Sequence, residues 1–235
     1  MDNIILIETS TELCSTAMAS EGKIISYRES DRPRTHASLT AVFISEMLNE
    51  TGMSIQDCSA VCVSMGPGSY TGLRVGVSTA KGLCFGGGLP LLAVGTLDTL
   101  VWQGITGEYF RNSQGDPDFR YIIPMIDARR MEVYTAVFSP DGKQVTDTEA
   151  KIVDGSSFAE QLAAGHVLFI GDAADKCRTV ITNPNAHFIQ CCPKASSMLV
   201  PAMAEYKEKR FRDVAYFEPF YLKNFVATAS RRKLF

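Results

Sequence analysis

The chain has 235 residues and a formal net charge of −3 at pH 7. Its composition, 46% hydrophobic and 21% charged, is ordinary for a soluble globular protein. The charge excludes a global basic field that would draw the whole molecule onto nucleic acid, and the length suits one large domain or two linked subdomains.

The first residues and the cysteines predict a cytoplasmic protein. Residues 1–7 carry an early acidic residue and only a short apolar run, which fits neither a signal peptide nor a membrane span. Seven cysteines without a Cys-x-x-Cys pair predict reduced, mostly buried thiols. The three histidines are isolated in sequence and lack the spacing of zinc ligands, so we expect no bound metal.

The N-terminal part predicts strands followed by a helix. Residues 3–30 contain three apolar runs separated by turn residues, which predicts a three-stranded meander. A helix is predicted from residue 35 or 36 to Thr51, with Gly52 as its stop. Its apolar residues form more than one stripe, so we expect it to bury two faces, one on its own sheet and one on another surface.

A glycine-containing segment at 66–74, Gly-Pro-Gly-Ser-Tyr-Thr-Gly-Leu-Arg, joins a strand over 60–65 to a helix that runs to Gly86. Glycines before a helix N-terminus are typical of phosphate-binding loops. This segment lacks the Lys-Ser/Thr pair of the Walker form, and its third glycine lies one position late for the dinucleotide form. A phosphate site is one open interpretation of it.

The helix that follows has a face with almost no side chains, because Gly72, Gly76 and Ala80 recur every four residues. Glycine costs about 1 kcal/mol in a helix interior, so close packing must offset the loss. Two interpretations remain open. Either a partner helix approaches this groove, or the groove packs on the chain's own sheet.

Strands and helices alternate through the rest of the chain, which argues for a mainly parallel α/β core. We predict strands at 90–94, 123–127, 151–153, 166–170 and 187–189, helices over 96–103, 156–164, 173–181 and 195–209, and a linker over 104–118.

The opening pattern recurs in the second half. Residues 123–127 are similar to residues 4–8, and the run from Thr16 matches the run from Thr135, eight residues after each acid. A Gly-Lys turn follows in both, so we favour an internal duplication over chance similarity. We expect two subdomains, 1–108 and 109–235, each with a mixed sheet flanked by helices. Whether the last helix and tail pack back on the first subdomain stays open.

Two halves that open with strand–acid–turn–strand resemble the actin/hexokinase/Hsp70 superfamily of ATPases, a duplicated RNase H-like α/β fold. Residues 66–76, residues 127–134 (Asp-Ala-Arg-Arg-Met-Glu-Val-Tyr) and residues 219–222 (Pro-Phe-Tyr-Leu) are similar to motifs of the TsaB family, formerly YeaZ. The resemblance covers essentially the whole chain. It implies a role in forming threonylcarbamoyladenosine at position 37 of tRNAs that read codons beginning with adenine.

The resemblance also implies that this chain is not the catalyst. In the family, a paralogue called TsaD carries out the transfer and ligates a metal through Asn-His-x-x-x-His. Here the two histidine positions hold Thr96 and Leu100, and a leucine cannot bind a metal. We therefore expect no catalytic residues in this chain and a scaffold or activating role beside TsaD. We also expect a TsaE-like ATPase as the third component of the complex. The chain should contact tRNA mainly through this complex, and it should not contact a membrane.

Nucleotide binding is a separate question. ATPases of this superfamily resemble Asp-x-Gly-Thr at the first acidic turn, whereas this chain has Glu-Thr-Ser-Thr at 8–11. The second acidic turn also lacks a glycine. Glu8, Thr9, Ser10, Asp127 and Arg129 are candidates for a vestigial nucleotide site, but we expect no ATP or ADP binding by this chain alone.

The predicted partner surface is formed by the helices over 36–51 and 71–86, which would also form a homodimer when the chain is alone. The candidate contact residues are His36, Leu39, Val42, Phe43, Met47, Gly72, Arg74, Val75, Gly76, Thr79 and Ala80.

Two enzymatic alternatives stay open: an ATPase of this fold, and a glycoprotease-like peptidase around His36 and Ser38. The peptidase needs a base oriented by a third group, and Ser69 does not lie in Gly-x-Ser-x-Gly. The basic residues at 207–212 and 231–233 offer phosphate contact with tRNA or are solvated surface.

Overall fold

The structure is a computed structural model that describes residues 2–107 and 119–223. The first half contains β1 (Asn3–Glu8), β2 (Cys14–Ser20), β3 (Lys23–Ser30), α1 (His36–Thr51), β4 (Ala60–Ser64), α2 (Tyr70–Gly87), β5 (Leu91–Val94) and α3 (Thr96–Thr106). The second half contains β6 (Phe119–Asp127), β7 (Glu132–Thr135), β8 (Glu149–Ile152), α4 (Ala159–Ala164), β9 (His166–Gly171), α5 (Ala174–Arg178), β10 (Ala186–Gln190), a 3-10 turn (Ala195–Met198) and α6 (Leu199–Lys207).

The two halves have the same sheet topology. The first sheet has the order β3-β2-β1-β4-β5, and the second has the order β8-β7-β6-β9-β10 when read in the same direction. In each sheet the first three strands pair antiparallel, the fourth strand pairs parallel with the central one, and the edge strand pairs parallel with the fourth. The predicted duplication of a mixed α/β unit is therefore confirmed in the strand order.

The repeat is not identical at its first turn. Glu8 pairs with Ser15 across the first hairpin, whereas Asp127 pairs with Val133, so the second turn is one residue shorter. Residues 129 and 130 form this tighter turn with left-handed φ angles of 70° and 49°. The predicted match eight residues after each acid is therefore wrong by one position in the second half.

Some predicted helix boundaries also differ from the structure. Phe158 has a left-handed φ of 62°, so α4 begins at Ala159 instead of residue 156. The predicted helix over 173–181 ends at Arg178, and the one over 195–209 divides into the 3-10 turn and α6. The helix α3 continues to Thr106, into the predicted linker, whose residues 108–118 lie outside the described residues.

The helices α3 and α6 each cover the sheet of the other half. Leu97 and Leu100 of α3 pack against the second sheet, in a cluster with Leu168 and Ile170. Met198 of the 3-10 turn and Ala202 of α6 pack on the first sheet, in a cluster with Ile4, Leu6 and Cys62. The end of the chain thus lies on the first half, the possibility that the sequence left open.

Two further sequence-based expectations concern membranes and thiols. No helix in residues 2–107 and 119–223 combines the length and apolar character needed to cross a membrane. All seven cysteines are free thiols, and five of them are buried, as predicted.

Candidate docking surface and the buried turn beneath it

The inner face of α2 is filled by the chain's own first turn. A Cβ added to Gly72 would lie 2.0 Å from the carbonyl oxygen of Thr9, and one added to Gly76 would lie 2.3 Å from Thr9 Oγ1. Gly72, Gly76 and Ala80 are all buried. The small-residue groove therefore packs within the chain, on the turn that follows β1.

Four of the predicted contact residues are consequently not on the surface. Met47 is 0% exposed and accepts a hydrogen bond from Thr16 Oγ1, because α1 turns this side toward β2. Gly72, Gly76 and Ala80 face Thr9 and the core. The prediction that these four positions form an accessible contact face was wrong.

The other predicted contact residues remain at least partly accessible. Val42 is 46% exposed and Arg74 is exposed, and the remaining ones are half-buried: His36, Leu39, Phe43, Val75 and Thr79. Thr79 Oγ1 donates to the carbonyl of Val75 at 2.9 Å, as helical threonines often do. Their role in binding a partner stays a prediction.

A second row of small residues lies on the solvent side of α2. Ser78, Gly82 and Gly86 are exposed and also recur every four residues. A Cβ on Gly82 or Gly86 would have no atom within 4 Å. Phe85 beside them is 87% exposed. This exposed row has the same spacing in the sequence as the buried row, but our sequence-based prediction used only the buried row.

The helix α1 extends this surface. Its later exposed residues Glu46, Asn49 and Glu50 are polar, whereas the exposed positions in its first ten residues are short or apolar: Ala37, Ser38, Ala41, Val42 and Ser45. We call these five residues, together with Thr71, Ser78, Gly82, Phe85 and Gly86 of α2, the outer face. Because α1 and α2 contact each other, we treat the outer face as one surface of the first half.

A C-terminal segment, residues 212–223, lies along α2 and is called the strap. Lys81 Nζ donates to the carbonyls of Ala215 and Phe217, at 3.0 and 3.2 Å. Further along, the amide of Phe220 donates to the carbonyl of Met65 at 2.7 Å. These bonds hold the strap beside α2 and over the segment that precedes it.

The end of the strap reaches an aromatic cluster and then the second half. The Tyr221 ring lies 4.8 Å from that of Tyr70, and the Arg74 guanidinium stacks on Tyr70 at 4.1 Å. Arg74 Nε also donates to the Tyr221 hydroxyl at 3.2 Å. Lys223 forms an ion pair with Glu132 of β7. Arg74, predicted to contact a partner, thus already binds the strap.

The backbone at the start of α2 is also bonded within the chain. The amide of Ser69 donates to the carbonyl of Ser10 at 2.6 Å, and Ser69 Oγ accepts from the amide of Gly72 at 3.2 Å. A Cβ on Gly68 would lie 2.3 Å from the Ser10 carbonyl oxygen. The glycine-containing segment that resembles a phosphate loop therefore packs directly on residues 8–11.

The first acidic turn is buried and polar. Glu8 is 0% exposed, and burial raises its pKa from 4.5 to about 7, although the amide of Ser10 donates to Glu8 Oε1 at 2.7 Å. In the part of the chain that the structure describes, Glu8 Oε2 and the hydroxyls of Thr9, Ser10 and Thr11 have no hydrogen-bond partner.

The second acidic turn differs from the first. Asp127 is exposed, and its Oδ1 accepts from the amide of Arg129 and from Lys176 Nζ, both at 2.6 Å. It therefore closes its own hairpin turn. Within residues 2–107 and 119–223 no three His, Cys, Asp or Glu side chains form a group that could hold a metal ion.

The two positions that hold histidines in the transferase paralogue are packed positions here. Thr96 Oγ1 lies 2.9 Å from Ser64 Oγ, and both residues are fully buried. Leu100 is fully buried in the cluster that joins α3 to the second sheet. Both side chains contribute to packing, and neither faces a cleft.

The remaining candidates do not come together as an active site. His36 Nε2 lies 3.0 Å from the carbonyl of Thr11, whereas Ser38 Oγ donates to the carbonyl of Thr35. In the basic stretch 207–212, Arg210 pairs with Glu205 at 2.6 Å. The basic residues 231–233 lie outside the described residues. Direct tRNA contact stays a prediction.

Comparison with known proteins identifies the family. A family model described as TsaD, tRNA N6-adenosine threonylcarbamoyltransferase, matches residues 30–229. A protein of Haemophilus influenzae named tRNA threonylcarbamoyladenosine biosynthesis protein TsaB is 30% identical, over 95% of this chain and 95% of that protein. The chain belongs to the TsaB family. The TsaB protein of Escherichia coli is 29% identical, over 95% of this chain and 96% of its own length.

The solved structures agree on the fold. YeaZ from Pseudomonas aeruginosa superimposes with a TM-score of 0.81 at 23% identity, covering 94% of this chain and 100% of that one. A crystal structure described as an uncharacterized protein with similarity to peptidase YEAZ from Pseudomonas aeruginosa gives 0.81 at 24% identity, with 95% and 100% coverage. These matches confirm the predicted duplicated, actin-like α/β fold for this member of the TsaB family.

Proposed function

We propose that this chain is a non-catalytic partner of a TsaD-like transferase in the formation of threonylcarbamoyladenosine at position 37 of tRNA, and that the outer face binds the transferase. The names of the TsaB relatives support the pathway, and the TsaD description of the matching family model supports the partner. In this proposal a TsaE-like ATPase joins the complex, tRNA is reached mainly through it, and the chain is cytoplasmic.

The observation that carries the proposal is the exposed row of small residues on α2. Glycine in a helix interior costs about 1 kcal/mol relative to alanine. For Gly72 and Gly76 the close contact with Thr9 offsets this cost, but Gly82 has no atom of the described residues within 4 Å of its Cβ position. A helix of another protein that packs closely there would offset it.

The apolar residues around the row support the same conclusion. Phe85 is 87% exposed and Val42 is 46% exposed, and both lie on the outer face. An exposed aromatic side chain next to a shallow row gives a partner a large area to bury. When the chain is alone, the same face would pair with a second copy, as we expected from the sequence.

Two observations support a non-catalytic role. At the two positions where the resemblance places the metal-binding histidines of TsaD, this chain has Thr96 and Leu100, which are fully buried. The amide of Ser69, at the start of α2, donates to the Ser10 carbonyl. An anion that approached the start of this helix would have to compete with that intramolecular bond.

The experiment compares two substitutions at Gly82. Gly82→Ala adds one methyl group in open space and improves helix propensity, whereas Gly82→Trp fills the row. We expect Gly82→Ala to bind the purified TsaD-like paralogue within about threefold of the unchanged chain, and Gly82→Trp to bind at least 100-fold more weakly by calorimetry.

Stability and activity provide the controls. Both variants should unfold at or above the urea midpoint of the unchanged chain, because the position is exposed. A tRNA modification assay that contains the paralogue and the ATPase should lose activity when this chain is omitted or replaced by Gly82→Trp. Unchanged binding by a folded Gly82→Trp protein would disprove the proposed face.

A further inference from the structure

The strands β5 and β10 are equivalent edge strands of the duplicated unit, but only the edge of β5 is bridged by the strap. At the edge of β5, Arg212 of the strap forms an antiparallel bridge with Leu91, and its amide donates to the Leu91 carbonyl at 2.8 Å. Val214 and Phe217, further along the strap, pack against the core of the first half. A distant segment thus bridges the edge of the first sheet at one residue.

The corresponding position in the second sheet is Ala186. Val61 of β4 donates to the carbonyl of Pro90, and in the same way Val167 of β9 donates to the carbonyl of Asn185. Along an edge strand, residues whose backbone groups bond to the sheet alternate with residues whose backbone groups point outward. Pro90 and Asn185 bond to the sheet, so the backbone groups of the next residues, Leu91 and Ala186, point outward.

Only some of the outward backbone groups of β10 have hydrogen-bond partners. The amide of Ala186 donates to the carbonyl of Asn183 at 3.0 Å, and the carbonyl of Phe188 accepts from Arg178 Nη2 at 3.2 Å. The carbonyl of Ala186 and the amide of Phe188 have no hydrogen-bond partner from residues 2–107 and 119–223. An added antiparallel strand would bond to both groups, and it would also have to displace the bonds that the Ala186 amide and the Phe188 carbonyl already make.

A groove of about 490 Å³ lies beside this edge. Its lining includes the apolar residues Ala186, Phe188 and the buried Ile181, and the polar residues Thr182, Asn183 and His187. The Phe188 ring stacks on that of Phe169 at 5.0 Å, which holds it against the second sheet. The Arg178 guanidinium lies 5.5 Å from the Phe188 ring, and its charge is offset by Asp175 at 3.2 Å.

We propose that the β10 edge binds an uncharged, extended peptide segment of a partner protein as an additional antiparallel strand, with one apolar side chain in the groove against Phe188. The occupant is argued from the internal repeat, in which the strap bridges the equivalent edge at Arg212, and from the ion pair with Asp175 that offsets the charge of the lining residue Arg178. This is the strand-addition mode of peptide recognition. The site is separate from the outer face, so each proposal can fail alone.

The test uses the full chain labelled with ¹⁵N and the probe Ac-Ser-Thr-Val-Phe-Val-Thr-Ser-NH2. We expect NMR chemical-shift changes centred on Ala186 and Phe188, and slower hydrogen exchange of the Phe188 amide by at least fivefold at saturating peptide. Shift changes confined to other parts of the molecule, or none at millimolar peptide, would overturn the proposal.

Two matched probes test for strand pairing rather than general apolar binding. Methylation of alternate amide nitrogens removes the donors along one edge of the peptide and leaves the other edge intact, because successive residues point to opposite sides. One of the two alternately methylated peptides should lose binding at least tenfold and the other should retain it. Equal binding of both would rule out the added strand.

Protein variants locate the groove. Thr182 is an exposed residue of the groove, so Thr182→Trp should fill it without loss of fold and weaken the probe at least fivefold. Gln56→Trp, at an exposed position of the first half outside the outer face, is the control and should bind the probe normally. Normal binding by folded Thr182→Trp would place the peptide elsewhere.

Discussion

Thr9 Oγ1 lies against Gly76, so closely that a Cβ on the glycine would be 2.3 Å away. The contact joins the turn after β1 to the middle of α2, elements that are far apart in the sequence. Because protein interiors are close-packed, such a contact tolerates no added atom without movement of one element. The turn and the helix therefore behave as one packed unit.

Gly76→Ala should destabilise the protein by about 1–3 kcal/mol, the usual cost of overpacking, although alanine favours the helix. The same change at Gly82, where a Cβ meets no atom within 4 Å, should stabilise it by up to about 1 kcal/mol. Urea unfolding measures both. Thr9→Ala should restore part of the loss in the Gly76→Ala background, and purely additive effects would contradict the contact.

Stability should fall as the pH rises through the titration of Glu8. Burial raises the Glu8 pKa from 4.5 to about 7, so the folded state retains a proton that the unfolded state releases. This contribution is fully present below about pH 4.5, decreases up to about pH 7 and is constant above it. At about 1.36 kcal/mol per pKa unit, its ceiling is about 3 kcal/mol.

Glu8→Gln isolates this effect from other acids. Burial also raises the pKa values of Asp98 and Asp172 to about 6, which gives the same direction of pH dependence. We expect urea midpoints of Glu8→Gln to depend less on pH between 4.5 and 7 than those of the unchanged chain. Parallel pH profiles for the two proteins would show that Glu8 does not titrate in this range.

Gln103 should stabilise the crossing between the two halves. Its side-chain amide donates to the carbonyl of Cys192 and accepts from the amide of Lys194, both at 3.0 Å, and it is 8% exposed. Gln103→Ala leaves both backbone groups unpaired, which costs about 1–3 kcal/mol for each buried group. Thermal unfolding should show the loss, and the exposed Gln144→Ala should not. A midpoint within 1 °C of the unchanged chain would contradict this role.

The strap should loosen when the aromatic cluster is weakened. Arg74→Ala removes the cation that stacks on Tyr70 and the donor to the Tyr221 hydroxyl. The cluster lies at the surface, so we expect little change in global stability but severalfold faster proteolysis within residues 212–223. Tyr221→Phe, which loses only the hydroxyl, should show a smaller effect. Arg32→Ala, at an exposed position after β3 on the opposite edge of the first sheet from β5, is the control.

The local features of this chain could be predicted from its sequence. The bounds of α1 agree within one residue, because its periodicity and the left-handed Gly52 at its end are properties of a short segment. Strand β4 and the following helix were likewise marked by an apolar run and by Ser69, whose hydroxyl caps the helix. The duplicated fold followed from the recurrence of these local patterns.

The candidate site could be predicted only in part, because small residues indicate a close approach without showing what approaches. The helix α2 carries two such rows, one through Gly72 and Gly76 and one through Gly82 and Gly86. Only the three-dimensional position of Thr9 distinguishes the buried row from the exposed one. The packing of the tail on the first half stayed open for the same reason, since the strap's contacts with Lys81 and Arg74 join distant parts of the chain.

Because α3 and α6 each cover the sheet of the other half, the protein cannot be divided between its halves without exposing apolar surface. A fragment that ends at residue 107 would keep α3 but lack α6, and would leave the apolar surface of Ile4, Leu6 and Cys62 open to water. The complementary fragment would lack α3 and expose Leu168 and Ile170. Each piece expressed alone should aggregate, whereas the two produced together should reassemble into a soluble, noncovalent whole.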